Sequence, residues 1–322
     1  MKRLRRTMVI VPGNVPEFLV KCRKLAADVL IFDLQDAVAK SDRAKLEARE
    51  LVVNALGKGG FAARELCVRV NSPGSTWIAD DIKAVVDAGA DSIMLSHCYS
   101  TADVLFAEGC LFGANPYRQV ETIIEIDTPA VLMELESIAR SAKTVTGIAV
   151  GSYDFSLELN ARVFGPDGFK SDDWLAYCRS KVIAIARWKG WNAGDVVSAD
   201  PRDPDATRQA MRASRGLGFD GATILVPRTL ALANDVYGVS TEELAWAKDM
   251  VARWKEADNG PDWNKGARMI GGEMIFAPIY EYACRALALH SVIEGNADAV
   301  TRFAKHGLAS SDYLVEKRVQ ES

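Results

Sequence analysis

Up to residue 227 the apolar positions follow two alternating rhythms. Short runs rich in β-branched residues read as strands: TMVIVPG (7–13), DVLIFDLQD (28–36), LCVRVN (66–71), SIMLSH (92–97), VETIIEID (120–127), VTGIAVGS (145–152), GDVVSA (194–199) and GATILVP (221–227). Between them PEFLVKCRKLAA, RAKLEARELVVNAL, STWIADDIKAVVDAG, TPAVLMELESIARSA and PDATRQAMRASRGLG carry apolar residues at helical spacing. Repeated strand-then-helix units predict an α/β protein, a (β/α)8 barrel in preference to an open doubly wound sheet. No glycine-rich phosphate fingerprint follows any strand, which argues against a dinucleotide-binding domain.

The rhythm changes after residue 238. STEELAWAKDMVARWKEADNG opens with Ser240 and Glu243 spaced as a capping box and reads as a long amphipathic helix. GPDWNKGARMIGGEMIFAPIYEYACRAL then predicts a Gly-rich turn, a short strand or loop, and a further helix. The expected organisation is a barrel over residues 1–238 and a C-terminal helical extension over 239–322 that contacts the barrel or a neighbouring subunit.

Composition narrows the partners. With 49% hydrophobic and 25% charged residues among 322, the chain has the make-up of a globular protein with a full-sized core. A net charge of -4 leaves no basic surplus for nucleic acid or anionic membranes. The basic start MKRLRRT is followed only by the short apolar run Met8 to Val11, too short for a signal peptide, and no run approaches the roughly 20 apolar residues of a membrane span. Six cysteines without CxxC spacing read as reduced thiols of a cytoplasmic protein.

Functional groups of a (β/α)8 barrel lie at the C-terminal ends of its strands. The expected strands end in Asp33 and Asp36, Arg69 and Asn71, His97, Glu125 and Asp127, with Asp154 just past Gly151. Carboxylates suit a hard divalent cation, and arginine can grip an oxyacid through two parallel hydrogen bonds. Glu125 is a lone acid in the run IIEI, where a metal ligand and an interior acid paired with a base both remain open. For Asp154 a helix cap and a metal ligand stand level. Arg69, among strand residues, needs a partner, either in an ion pair or as an anion clamp. His290 and His306 fall in C-terminal helical segments and read as structural or surface residues. Neither a nucleophile elbow nor a lysine ending a central strand is found.

Taken in order, RRTMVIVPGN, ADVLIFDLQDAV, KLEAR, RVN, the strand ending in Glu125, GSYDFS and RGLGFDGATILVP resemble the citrate lyase β-subunit-like branch of the HpcH/HpaI aldolase superfamily, together with its malyl-CoA and citramalyl-CoA lyases. STEELAWAKDMV and GGEMIFAP are similar too. The resemblance implies a barrel assembled as a homotrimer or hexamer. It implies Mg²⁺, or Mn²⁺ in its place, held by Glu125 and Asp154, with Arg69 on the carboxylate of a keto acid. Asp33 and Asp36 would face the same site, and Lys21 and Arg6 would be the groups left for coenzyme A.

The chain departs from that branch at several positions. Gln35 replaces an acid, Val15 an arginine that meets CoA phosphate, Ser96-His97 a Pro-Lys pair, and Leu225-Val226-Pro227 an Ile-His-Pro. Phe276 replaces an aspartate implicated in proton transfer in the CoA lyases. The resemblance therefore implies first a Mg²⁺-dependent carbon–carbon lyase working on a hydroxyacyl-CoA of malyl, citramalyl or citryl type. The alternative is a CoA-independent aldolase on 4-hydroxy-2-keto acids. In that branch the base is a histidine whose position falls on Asp36 here, and His97 could serve instead. A third reading, a non-catalytic homologue that binds keto acid or acyl-CoA, draws on Phe276 and is opposed by Glu125, Asp154 and Arg69.

Overall fold

In the computed structural model, residues 3–163, 173–197, 202–256, 267–270 and 272–295 are described. Eight parallel strands close on themselves: β1 (Thr7–Pro12), β2 (Val29–Asp33), β3 (Glu65–Arg69), β4 (Ser92–Leu95), β5 (Glu121–Ile126), β6 (Val145–Val150), β7 (Asn192–Val196) and β8 (Gly221–Ile224), with β8 returning to β1. The helices are α1 (Pro16–Lys21), α2 (Asp42–Lys58), α3 (Ile78–Asp87), α4 (Thr101–Ala114), α5 (Pro129–Ser141), α6 (Ser152–Glu158), α7 (Ala176–Lys189), α8 (Pro204–Leu217) and α9 (Leu230–Val236). All eight expected strands form, but most stop short of the polar tails read into them. Residues Gln35 to Asp36, Asn71, His97 and Asp127 lie just past the ladders, where side chains and turns take over the backbone partners. Ser198 and Ala199 of the seventh run are outside the described residues.

Helix starts follow the side chains available to cap them. Ser41 accepts from the Ala44 amide, Ser100 and Asp103 form a reciprocal capping box, and Thr128 accepts from the Val131 amide ahead of Pro129. Helix α4 did not stand out in the sequence because its apolar residues run round several faces, with Leu105, Phe106 and Phe112 exposed.

Two compact units make up the chain. One is Arg5–Asn234, which holds the barrel; the other collects residues 3–4 with those described from Asp235 onward. In the second unit α10 (Thr241–Glu256), the antiparallel pair β9 (Ala267–Ile270) and β10 (Glu273–Phe276), and α11 (Ala277–Ile293) share a core of Ala247, Met250, Trp254, Ile270, Ile275, Ala283 and Ala286. The hairpin stands where a turn with a short strand or loop was expected. His306 and the rest of residues 296–322 are outside the described residues. No helix among the described residues is long and apolar enough to cross a membrane.

Strand alternation stacks the barrel interior in layers. The middle is apolar: Met8, Val29, Ile31, Cys67, Met94, Ile123 and Ala149 are almost fully buried. Below it, at the N-terminal foot, the buried Arg5 donates through Nε and Nη2 to Glu65, both at 2.8 Å, and through Nη2 to Glu121 at 2.6 Å. Gly147 makes room for this guanidinium, since a Cβ there would stand 2.8 Å from Nη1. The buried Glu65 and the partly buried Glu121 thus share one arginine, and removing it leaves both charges with only hydroxyl partners, Ser92 and Thr146. We expect Arg5→Met to destabilise the barrel by about 3–5 kcal/mol. Urea denaturation measures this, and a loss below about 1 kcal/mol would show that the foot network is dispensable.

Candidate active site

The upper polar layer is built on the same two strands. Arg69 ends β3 and donates through Nε to Asp33 Oδ1 (2.9 Å) and through Nη2 to Asp33 Oδ2 (2.6 Å). Its Nη1 reaches Glu125 Oε2 at 3.1 Å and Asp36 Oδ2 at 3.3 Å. Despite burial, the charges of Glu125, Asp33 and Asp36 hold the Arg69 guanidinium above its ordinary range. The structure corrects two expectations here. Asp33 offers no free oxygen to a metal, because Oδ1 also accepts from the Gln35 amide and Oδ2 from the Ala37 amide. Arg69 has its bidentate edge on Asp33, so a substrate can meet only the Nη1–Nη2 edge.

Sequence reading missed what KLEAR does. Lys45, buried on α2, donates to the carbonyls of Leu34 (2.8 Å) and Gln35 (2.7 Å), which fixes the turn carrying Asp36. Arg49, one turn later, holds Asp81 on α3, and Asp81 Oδ2 accepts from both the backbone and the side-chain amide of Asn71. Asn71 is therefore an anchor of the β3 loop instead of a site residue. The spacing of Lys45 and Arg49 on one helix face was a visible signal, but their targets are backbone groups and a distant acid. Gln35 is buried with Oε1 unpartnered, and its neutral amide keeps a further carboxylate out of the layer.

On the other side of Arg69, His97 follows β4 with a positive φ of 49°, a left-handed backbone uncommon for a residue with a side chain. Its amide donates to Asp127 Oδ2 at 2.6 Å. Its ring lies between two acids, with Nδ1 3.7 Å from Asp127 Oδ2 and Nε2 3.8 Å from Asp36 Oδ1. One donor atom each from Asp36, His97 and Asp154 lie within 4.8 Å of one another. Asp154 does not cap α6, whose N-cap residue Gly151 makes no side-chain bond, so the capping alternative falls. Gly151 sits where a Cβ would stand 2.9 Å from Glu125 Cγ and 3.0 Å from Asp127 Cβ, so glycine lets the β6 turn close on both acids.

Electrostatics sets the two mouths of the barrel apart. At the foot two guanidiniums, those of Arg5 and Arg6, serve three carboxylates, those of Glu65, Glu121 and Asp28. At the top the Arg69 guanidinium pairs with Asp33, Asp36 and Glu125, while Asp127 and Asp154 lie beside His97, so carboxylates outnumber the cationic groups. Burial and the Glu125 charge push the Asp127 carboxyl up to about 7, and burial also raises Glu125 against the pull of Arg69. His97 is raised to about 9, first by Asp36 and then by Asp127 and Asp154. For Asp36, burial is outweighed by His97 and Arg69, which lower it.

These residues fit a divalent metal. Asp127 Oδ1 is buried with no hydrogen-bond partner, only Oε2 of Glu125 is engaged by Arg69, and the Asp154 carboxylate makes no hydrogen bond among the described residues. Such an excess of hard oxygen donors is what Mg²⁺ or Mn²⁺ requires. The candidates for coenzyme A are not brought here. Arg6 lies at the foot, where Nε and Nη2 grip Asp28 at 2.9 Å, and it corrects the expectation of a phosphate contact. Lys21 is exposed at the last residue of α1 and pairs with none of the mouth acids. Phe276 ends β10 and is exposed in the second unit.

The sequence profile of the HpcH/HpaI aldolase/citrate lyase family matches residues 6–227, the whole barrel bar its edges. The chain belongs to this family. Citrate lyase subunit beta of Leuconostoc mesenteroides subsp. cremoris is 30% identical over 293 residues, 89% of this chain and 94% of its own. A (3S)-malyl-CoA thioesterase of Cereibacter sphaeroides is 30% identical over 270 residues, 84% of this chain and 89% of its own. Among solved structures, the citrate lyase beta subunit of Mycobacterium tuberculosis complexed with oxaloacetate and magnesium is 26% identical. It superposes with a TM-score of 0.59 over 72% of this chain and 96% of its own. Protein CitE of the same organism, in complex with magnesium, acetoacetate and coenzyme A, is 24% identical with a TM-score of 0.71 over 90% of this chain and 100% of its own, and shares the fold. This HpcH/HpaI family member thus has enzymes of carbon–carbon lyase chemistry among its relatives, and magnesium in those solved structures.

Proposed function

We propose that this family member is a Mg²⁺-dependent lyase that cleaves a hydroxyacyl-CoA of malyl, citramalyl or citryl type into an acyl-CoA and a 2-keto acid, or runs the reverse. The observation that supports it is a barrel mouth where Arg69 pairs with Glu125 and Asp36, Asp154 lies beside Asp36 and His97, and carboxylates outnumber the cationic groups. Glu125 and Asp154 are the residues that would hold the cation. A magnesium ion held there would supply Lewis-acid stabilisation of negative charge on the keto oxygen.

The chain's own groups do the rest. Asp33 locks the Arg69 fork, leaving the Nη1–Nη2 edge to orient the keto-acid carboxylate in place of Asp36 and Glu125. Asp36, exposed and backed by His97, is the group we assign to accepting the hydroxyl proton. Asp127 holds the His97 amide, and Lys45 holds the turn that carries Asp36. Gly151→Ala is expected to push Glu125 and Asp127 apart and weaken Mg²⁺ binding about 10–100-fold, as read by titration calorimetry. Unchanged affinity would remove Gly151 from the site.

A CoA-independent aldolase is the second reading, favoured by Arg6 being tied to Asp28 and by Val15 and Phe276. Thermal shift with Mg²⁺ and pyruvate, glyoxylate or oxaloacetate, with and without acetyl-CoA, separates the two. Stabilisation by the thioester decides for the lyase. Stabilisation by pyruvate alone, with turnover of 4-hydroxy-2-keto acids, decides for the aldolase, and binding without turnover would sink both. We also assign the second unit, whose hairpin exposes Met269, Met274 and Phe276, to contacts between subunits of a homotrimer or hexamer. Light scattering from a monomer would overturn that.

A further inference from the structure

The mouth contains one donor that is not an oxygen. One imidazole nitrogen of His97 lies with one oxygen each of Asp36 and Asp154 inside a 4.8 Å group, and Nε2 is 3.8 Å from Asp36 Oδ1. Ligands at about 2.1 Å on an octahedral ion lie about 3.0 Å apart when adjacent and about 4.2 Å when opposite. His97 and Asp154, whose ligand atoms lie within 4.8 Å of each other, are thus within a small side-chain adjustment of sharing a cation, with Asp36 as their neighbour.

Two further observations point at the same spot. Asp127, almost fully buried and lying beside His97, keeps Oδ1 without a hydrogen-bond partner. Its Oδ2 accepts from the His97 amide and pins the backbone in its left-handed turn, which sets where the imidazole projects. Strain held in place by a buried acid is a feature of functional positions.

We propose that His97 is a ligand of the cation that Asp154 holds, so that this site prefers borderline divalent ions such as Co²⁺, Ni²⁺ or Zn²⁺ to a degree an all-carboxylate site does not. Imidazole nitrogen adds little for Mg²⁺ but binds the later first-row ions strongly. Imidazole binds a metal only in its neutral form, so metal binding there competes with protonation of the ring. Asp36, beside the metal and not on it, stays in reach of a hydroxyl or water bound there. This inference rests on the metal-dependent reading above and adds the identity of one ligand.

The test is spectroscopic. In the intact Mn²⁺-loaded protein, electron spin-echo envelope modulation should show nitrogen coupling, and His97→Gln should remove it. By calorimetry His97→Gln should weaken Co²⁺ binding about tenfold or more while changing Mg²⁺ affinity less than about threefold. Absence of nitrogen coupling in the wild type, or its survival in His97→Gln, overturns the proposal. The wild-type spectrum requires no variant to fold. Failure here with Mg²⁺ binding still dependent on Glu125 leaves the lyase reading standing, whereas loss of that dependence removes the reading itself.

Discussion

Glu125→Gln is expected to lower turnover by about a thousandfold and to weaken Mg²⁺ binding in parallel, with the fold intact. The substitution keeps shape and can still accept from Arg69, whose Nε and Nη2 remain on Asp33. What it removes is one ligand charge at a site where the cation offsets an excess of carboxylates. Steady-state kinetics of carbon–carbon cleavage, together with Mg²⁺ calorimetry, measures both effects. Turnover that persists undiminished in excess EDTA would end the metal assignment.

Arg69→Lys is expected to cost about 2–4 kcal/mol in kcat/KM, mostly through the KM of the keto acid. A lysine keeps the charge but cannot both bridge Asp33 and present a second edge to a substrate. Competitive inhibition by oxaloacetate or glyoxylate should weaken alongside. Undisturbed inhibition would place the anion clamp elsewhere. Arg69→Ala is a poorer probe, since it leaves buried Asp33 without its guanidinium and should destabilise the barrel by about 3–5 kcal/mol.

The barrel was legible because each strand is a short apolar run and most of the helices between them have their own periodicity, α4 being an exception, the two signals that local sequence carries best. Glu125, Arg69 and Asp154 were legible for a related reason, as charged residues at or just past strand ends in a fold whose sites lie there. The partnerships were not. That Asp33 spends both oxygens on Arg69 and on its own turn depends on register between β2 and β3, where Asp33 faces Arg69, and on the loop beyond. That Arg6 belongs to the foot follows from its preceding β1, a placement the family resemblance obscured by offering it a ligand. Lys45 acts on a loop and Arg49 on helix α3, and their spacing marks a shared helix face without revealing those targets.

The foot of the barrel has a consequence for the chemistry above it. Glu65 and Arg69 lie four residues apart on one strand, and Glu121 and Glu125 four apart on another, so each foot carboxylate is about 13 Å below a mouth group. Arg5 ties the two lower ends together and thereby levels the two upper ones. A slip of one strand by a single residue would turn its charges out of the interior at both ends at once. The ion pairs at the foot therefore act as a gauge: they set the relative height of guanidinium and carboxylate at the opposite mouth, while the loops there stay free to change what is bound.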